Sequence, residues 1–189
     1  MRGFVGGREV GSSFQLLLAQ AKDGDAEAAG TLLSASGQRL WRTAYAILQH
    51  EEDAKDAVQE AFLKAFRSLK ALRASDQRAW EVWLMRIALN CAKDKYVARL
   101  SLAPLGADPP EWKDDGRMLL DDQTVMNLRL RTLLQGLPFG KRSAVVLVDM
   151  CGWTRNDAAK MLGVPRGTLD SWLFHARKNL RQALECEDD

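Results

Sequence analysis

Between residues 100 and 123 the chain reads LSLAPLGADPPEWKDDGRMLLDDQ, and this stretch limits the fold more than any other. Pro104, Pro109 and Pro110 each fix φ and remove a backbone donor, and six acidic residues stand against two basic ones. No long helix or strand can run through such a segment. It reads as a linker between two blocks, 1–99 and 124–189. A length of 189 residues allows one or two domains with a real core.

On both sides of the break the apolar residues recur at intervals of three and four, the spacing of helices with one buried face. In the first block, Phe14, Leu17, Leu18 and Ala21 predict a helix over 12–23, with further helices over 25–36 and 39–49. A longer helix is expected from 51 to 72. Its Glu-Glu-Asp start favours the positive helix end, and Ala54, Ala57, Val58, Ala61, Phe62, Ala65, Phe66 and Leu69 form its apolar stripe. Another follows over 77–99. In the second block, helices are expected near 124–135, 138–151, 154–162 and 166–184. No strand alternation and no internal repeat is seen. The fold class is all-α, in two small helical bundles.

Hydrophobic residues make up 47% of the chain, which excludes a mostly disordered protein. No apolar run is long enough to cross a bilayer, and the N-terminal MRGFVGGREVGSSF lacks the apolar core of a secretion signal. A cytoplasmic protein without membrane insertion is expected. Cys91, Cys151 and Cys186 are far apart and odd in number, and the only histidines are His50 and His175. Neither a disulfide framework nor a metal site follows from such spacing. There is no Ser/His/Asp set and no phosphate-cradling glycine loop, so no enzyme and no cofactor is expected. Net charge is only +2, with basic over acidic counts of 15 to 12 in residues 1–99 and 10 to 7 in 124–189. Two mildly basic blocks around an acidic connector suit separate contacts along a nucleic acid.

The second block carries the sharper pattern, AAKMLGVPRGTLDSWLFHARKNL over 158–180. Ala159 places a small residue where two helices meet, Gly163 suits a tight turn, and Pro165 is pre-set for the entry to a helix. Leu169, Leu173, Ala176 and Leu180 then share one buried face. Ser171, Phe174 and Lys178 fall on the far side, flanked by Asp170, His175 and Arg181. This is a helix-turn-helix with an exposed reading face.

Residues 137–177 resemble the fourth conserved region of bacterial extracytoplasmic-function (ECF, group IV) RNA polymerase sigma factors of the sigma-70 family. The matching residues are Leu137-Pro138, Gly152-Trp153-Thr154 and GVPRGTLDSWLFHAR. An independent match lies upstream. DAKDAVQEAFLKAFRSL (53–69) and WEVWLMRIALNCAKDKYVAR (80–99) are similar to the second region of the same family. The resemblance implies docking of core RNA polymerase on Asp53, Asp56, Gln59, Glu60 and Phe62. It implies capture of a flipped −10 base near Asn90 and Leu72, with Lys64, Lys93, Lys95 and Arg99 as phosphate partners. Trp80 would help wedge the duplex open, with Trp83 expected nearer the core. It also implies −35 contacts from Arg166, Thr168, Asp170, Ser171, Phe174, His175, Lys178 and Arg181. Core polymerase, promoter DNA and an anti-sigma factor are the implied partners, and the linker would thread towards the RNA exit path.

The chain departs from the family pattern where basic residues are common and Asp170, Trp172 and His175 stand instead. Leu72 stands where an aromatic is common in the family's loop. Weak or altered −35 recognition follows as an expectation. Two rivals follow as well: a stand-alone helix-turn-helix regulator binding palindromes as a dimer, and a sigma-like decoy that binds an anti-sigma factor but not DNA.

Overall fold

The computed structural model describes residues 6–74, 76–102 and 124–185, and every regular element in them is helical. Four helices build the first module: α1 (Gly6–Asp23), α2 (Ala26–Leu48), α3 (Glu51–Ser68) and α4 (Gln77–Leu102). Four more build the second: α5 (Thr124–Gln135), α6 (Phe139–Val145), α7 (Arg155–Leu162) and α8 (Arg166–Glu185). Most of the linker (103–123) lies outside the described residues, as does Cys186; residues 100–102 continue α4.

Where two helices were expected over 25–36 and 39–49, α2 runs unbroken. Asp25 caps it, its carboxylate accepting from the N–H groups of Glu27 and Ala28 at 2.9 and 3.1 Å. A glycine inside a helix ordinarily weakens it by about 1 kcal/mol relative to alanine. At Gly37 the missing side chain admits a neighbour, for a Cβ there would stand 3.4 Å from the Phe62 ring. Helix α2 ends at Gln49 in the left-handed conformation (φ 54°), its N–H bonded to the Tyr45 carbonyl.

Along α3, Ala54, Ala57, Ala61 and Ala65 are wholly buried, so this helix approaches α4 closely. After α3 one 3₁₀ turn, Leu69–Ala71, ends the run expected to 72. Asp76 then opens α4, its carboxylate accepting from the Ala79 N–H at 2.8 Å. Helix α6 widens into a π turn over Val146–Met150, closed by Cys151 N–H to the Val146 carbonyl at 2.9 Å. Gly152, with φ 70°, then turns the chain so that Trp153 enters the interior, where it is 5% exposed.

The two modules pack on each other, and their buried apolar side chains join in one cluster. Helix α7 lies against α4, and α6 with its π turn lies against α2. Arg142, 3% exposed, donates to the carbonyl of Ile47 in the first module at 2.7 Å. The same guanidinium reaches the carbonyls of Gln135 and Leu137 at 2.8 and 3.1 Å. It thereby satisfies carbonyls left over at the C-terminal ends of α2 and α5 together. Burial lowers its pKa, with Tyr96 acting the other way. Around it, Gln49 donates to the Arg131 carbonyl at 3.2 Å, and the Tyr96 and Phe139 rings stand 5.2 Å apart. Trp153 is covered by the guanidinium groups of Arg39 and Arg78, 5.1 and 4.6 Å from its ring.

Candidate nucleic-acid and polymerase interface

On the first module charged side chains of α3 and α4 form one ladder. Two acids of α3 stand on cations of α4, and Lys64 of α3 lies between Glu60 on its own helix and Asp94 on α4. Asp53 pairs with Arg99 at 2.7 Å, Asp56 with Lys95 at 3.2 Å, and Lys64 with Glu60 at 2.7 Å and Asp94 at 3.9 Å. The hydrogen bond to Glu60 raises the pKa of Lys64; beneath it, burial pushes the Cys91 thiol up. The sequence assigned the acids to one partner and the cations to another, but the structure sets them side by side.

Facing outward from α3 are Gln59, Leu63 and Phe66, spaced four and three apart; Leu63 is 59% exposed and Phe66 51%. Phe66 was expected in the apolar stripe. It lies about 120° around the helix from Ala54 and misses the core. Phe62, a candidate docking residue, instead packs partly buried on Gly37. Leu63 is not among the residues that the sequence singles out. The available signal was a leucine opposite the alanine stripe, where a solvated helix ordinarily carries a polar residue.

Asn90 and Lys93 are exposed on α4, and Leu72 is partly buried after the 3₁₀ turn. Trp80 is placed otherwise than the sequence suggested. At 2% exposure it belongs to the core, its indole N–H directed to the Ser36 hydroxyl at 3.5 Å, whereas Trp83 is only half-buried. Trp80 therefore cannot reach a duplex without unfolding the module, and the order expected for the two tryptophans is reversed.

In the second module the helix-turn-helix forms as its residues dictate. The Thr154 hydroxyl caps α7, accepting from the Asp157 N–H at 3.1 Å. Gly163 takes φ 66°, and the Val164 N–H returns to the Ala159 carbonyl at 3.0 Å. Leu169, Leu173 and Ala176 are buried along α8, which leaves Ser171, Phe174, His175, Lys178 and Arg181 exposed and Thr168 half-buried. Phe174 is 66% exposed, and its aromatic ring lines one groove with Arg155, Arg177, Lys178 and Arg181. Trp172 turns the other way: a Cβ on Gly140 would come within 2.8 Å of its ring. Arg177 is held by Asp149 through two hydrogen bonds of 2.6 and 3.1 Å, and this pairing raises its pKa. Asp170 is held between Arg155 and Arg166, at 3.4 and 3.0 Å.

A helix-turn-helix with a basic and aromatic reading face, joined to a helical module whose outer face mixes acids with exposed apolar groups, defines a two-module DNA-binding transcription protein. Comparison with known proteins makes this specific. The Sigma-70 region 2 family matches residues 32–100, and the Sigma-70, region 4 family matches residues 127–180. The chain is 30% identical over 182 residues to the RNA polymerase sigma-H factor of Pseudomonas aeruginosa, covering 90% of this chain and 93% of that protein. It is 34% identical over 181 residues to the ECF RNA polymerase sigma factor SigM of Mycobacterium tuberculosis, covering 95% and 88%. Among solved structures it resembles CnrH in complex with the cytosolic domain of CnrY, with a TM-score of 0.65 and 26% identity over 92% of this chain and 98% of that one. The chain belongs to the ECF RNA polymerase sigma factors of the sigma-70 family, which are not enzymes. It directs promoter recognition by RNA polymerase. A stand-alone regulator would leave the region 2 module unexplained.

Proposed function

We propose that the outer face of α3 docks core RNA polymerase, that α4 around Asn90 and Lys93 takes the −10 strand, and that α8 reads the −35 element. The modules are taken as 1–99 and 124–189, with 100–123 between them. One observation carries the reading: the two modules turn chemically different exposed faces outward, while their inner faces close on each other. Gln59, Leu63 and Phe66 offer the mixed apolar and polar surface of a docking site. Asp53, Asp56 and Glu60 lie beside it. Asn90 supplies an amide for a base edge, and Lys64, Lys93, Lys95 and Arg99 supply cations for phosphates.

The packed arrangement belongs to the unbound protein. The −10 and −35 elements are separated along the duplex at about 3.4 Å per base pair, so one promoter cannot be gripped at both while α7 rests on α4. Core polymerase opens the pair, and an anti-sigma protein holds it shut. Support for the second statement comes from CnrH, whose solved structure is a complex with the cytosolic domain of CnrY. The protein works in the cytoplasm; among the described residues no helix is long and apolar enough to cross a membrane. Mixing the chain with core polymerase, followed by run-off transcription from selected promoter fragments, tests the reading. Core association with new transcripts is expected. Association without transcripts would leave a decoy, and no association would end the docking assignment.

A further inference from the structure

The recognition helix carries an acid where a duplex presents phosphates, and the structure gives that acid defined partners. Oδ2 of Asp170 accepts from Nε of Arg166, one turn earlier on α8, at 3.0 Å. Oδ1 accepts from Nη1 of Arg155 on α7 at 3.4 Å. Nη1 of Arg166 also donates to Oδ1 of Asn156 on α7. One carboxylate thus ties together guanidinium groups from both helices of the helix-turn-helix. Arg155 and Asp170 border a groove of about 740 Å³ that Phe174, Lys178 and Arg181 also line, and Arg166 stands exposed one turn before Asp170 on α8. Trp172, packed on Gly140, faces away from it.

We propose that Asp170 is a positioning residue that holds Arg155 and Arg166 as an oriented pair, and that this pair reads guanine edges of the −35 element. It takes over from the basic residues that positions 170, 172 and 175 lack. The inference rests on the reading of α8 as the −35 helix. An arginine already held by a carboxylate has less rotamer freedom to lose on binding. The O6 and N7 acceptors of guanine in the major groove match such a fixed donor fork. Two guanidinium groups and one carboxylate leave one positive charge, so the cluster still attracts the duplex. With both oxygens engaged, Asp170 is poorly placed to accept from a cytosine amino group.

The consequence runs against simple electrostatics. Removing an acid from a DNA-binding face ordinarily tightens binding to every sequence. Here Asp170→Ala weakens binding to the preferred sequence. The experiment selects fragments from a library randomised over the −35 region, using full-length chain bound to core polymerase. Wild type, Asp170→Ala, Asp170→Asn and the charge-preserving Arg155→Lys are compared. Wild type enriches guanine at one or two positions. Asp170→Ala binds the selected site about tenfold more weakly, unrelated DNA no more weakly, and loses the guanine preference. Asp170→Asn, with one acceptor oxygen, falls between, and Arg155→Lys loses the preference although its charge is kept. Unchanged preference with equal or tighter binding by Asp170→Ala overturns the proposal. A uniform loss on all sequences also overturns it, marking a phosphate contact. Failure of wild type to select any −35 base, while still opening −10 sequences, defeats the assignment of α8 itself and with it the proposal.

Discussion

Arg142 is the buried charge at the contact of the two modules, and its replacement by methionine tests how much it contributes to their packing. Three carbonyls accept from its guanidinium, and one of them, Ile47, belongs to the other module. A hydrogen bond to a charged group contributes about 1.5–3 kcal/mol net, and an orphaned buried carbonyl costs about 1–3 kcal/mol. Burial of the charge offsets part of this, since the Arg142 pKa is lowered and its Nε finds no protein acceptor among the described residues. For Arg142→Met the Ile47 bond alone moves the closing equilibrium by about 1.5–3 kcal/mol towards the open form, ten- to more than a hundred-fold. Loss of the Gln135 and Leu137 bonds destabilises the second module as well. Gln49→Ala separates the two effects, because it removes only the inter-module bond to the Arg131 carbonyl. Small-angle scattering reports module separation, and hydrogen exchange of the segments around Ile47 and Trp153 reports their exposure. Both variants are expected to give a larger radius of gyration and faster exchange there. An Arg142→Met protein that melts as wild type and scatters identically would mean that Arg142 does not hold the modules together.

Further outcomes follow from single contacts. Leu63→Ser with Phe66→Ser is expected to leave the melting temperature nearly unchanged, since both side chains are exposed, while weakening core polymerase binding at least tenfold in a titration. Gly140→Ala places a methyl group 2.8 Å from the Trp172 ring and is expected to destabilise the second module by about 1–3 kcal/mol in denaturant melts, despite the gain in helix propensity. For Asp157, burial raises the carboxyl pKa, but hydrogen bonds from Arg78 and Thr154 together outweigh it and leave the value lowered. Its contribution to module packing is therefore complete above the unfolded aspartate value of about 3.9 and is lost as pH falls through the lower folded value; scattering across an acid titration checks this, with Asp157→Asn losing that component of the pH dependence.

The helical class and the helix-turn-helix were legible because their signals are local. Apolar residues at three- and four-residue spacing bury one face of a helix whatever it packs against, and Gly163 and Pro165 act through φ alone. The unbroken α2 was not legible, because Gly37 reads as punctuation until Phe62 is known to need the space. The inter-module contact was hidden for a related reason. Arg142 looks like any basic residue in a helix, and only the three-dimensional meeting of two helix ends supplies it with acceptors. The site was half visible. Residue types at α3, α4 and α8 pointed to charge and base recognition, but not to the mutual pairing of those charges, nor to which of Phe62, Leu63, Phe66, Trp80 and Trp83 face inward.

That pairing separates charges that build the protein from charges that remain available to partners. The rungs between α3 and α4 join side chains that solvent still reaches, from 24% and 21% at Arg99 and Asp53 to 45% and 71% at Lys64 and Asp94. Such pairs contribute about 0–1 kcal/mol each and are screened by salt. The close seam of wholly buried alanines, not the ladder, holds these helices together. A rung that holds so little can exchange one member for a phosphate, or the other for a basic partner, without loss of the fold. Arg142 is the opposite case: charged, buried and engaged by backbone carbonyls, it cannot change partners unless the modules part. The same residue types therefore play two roles in this chain, and burial decides which.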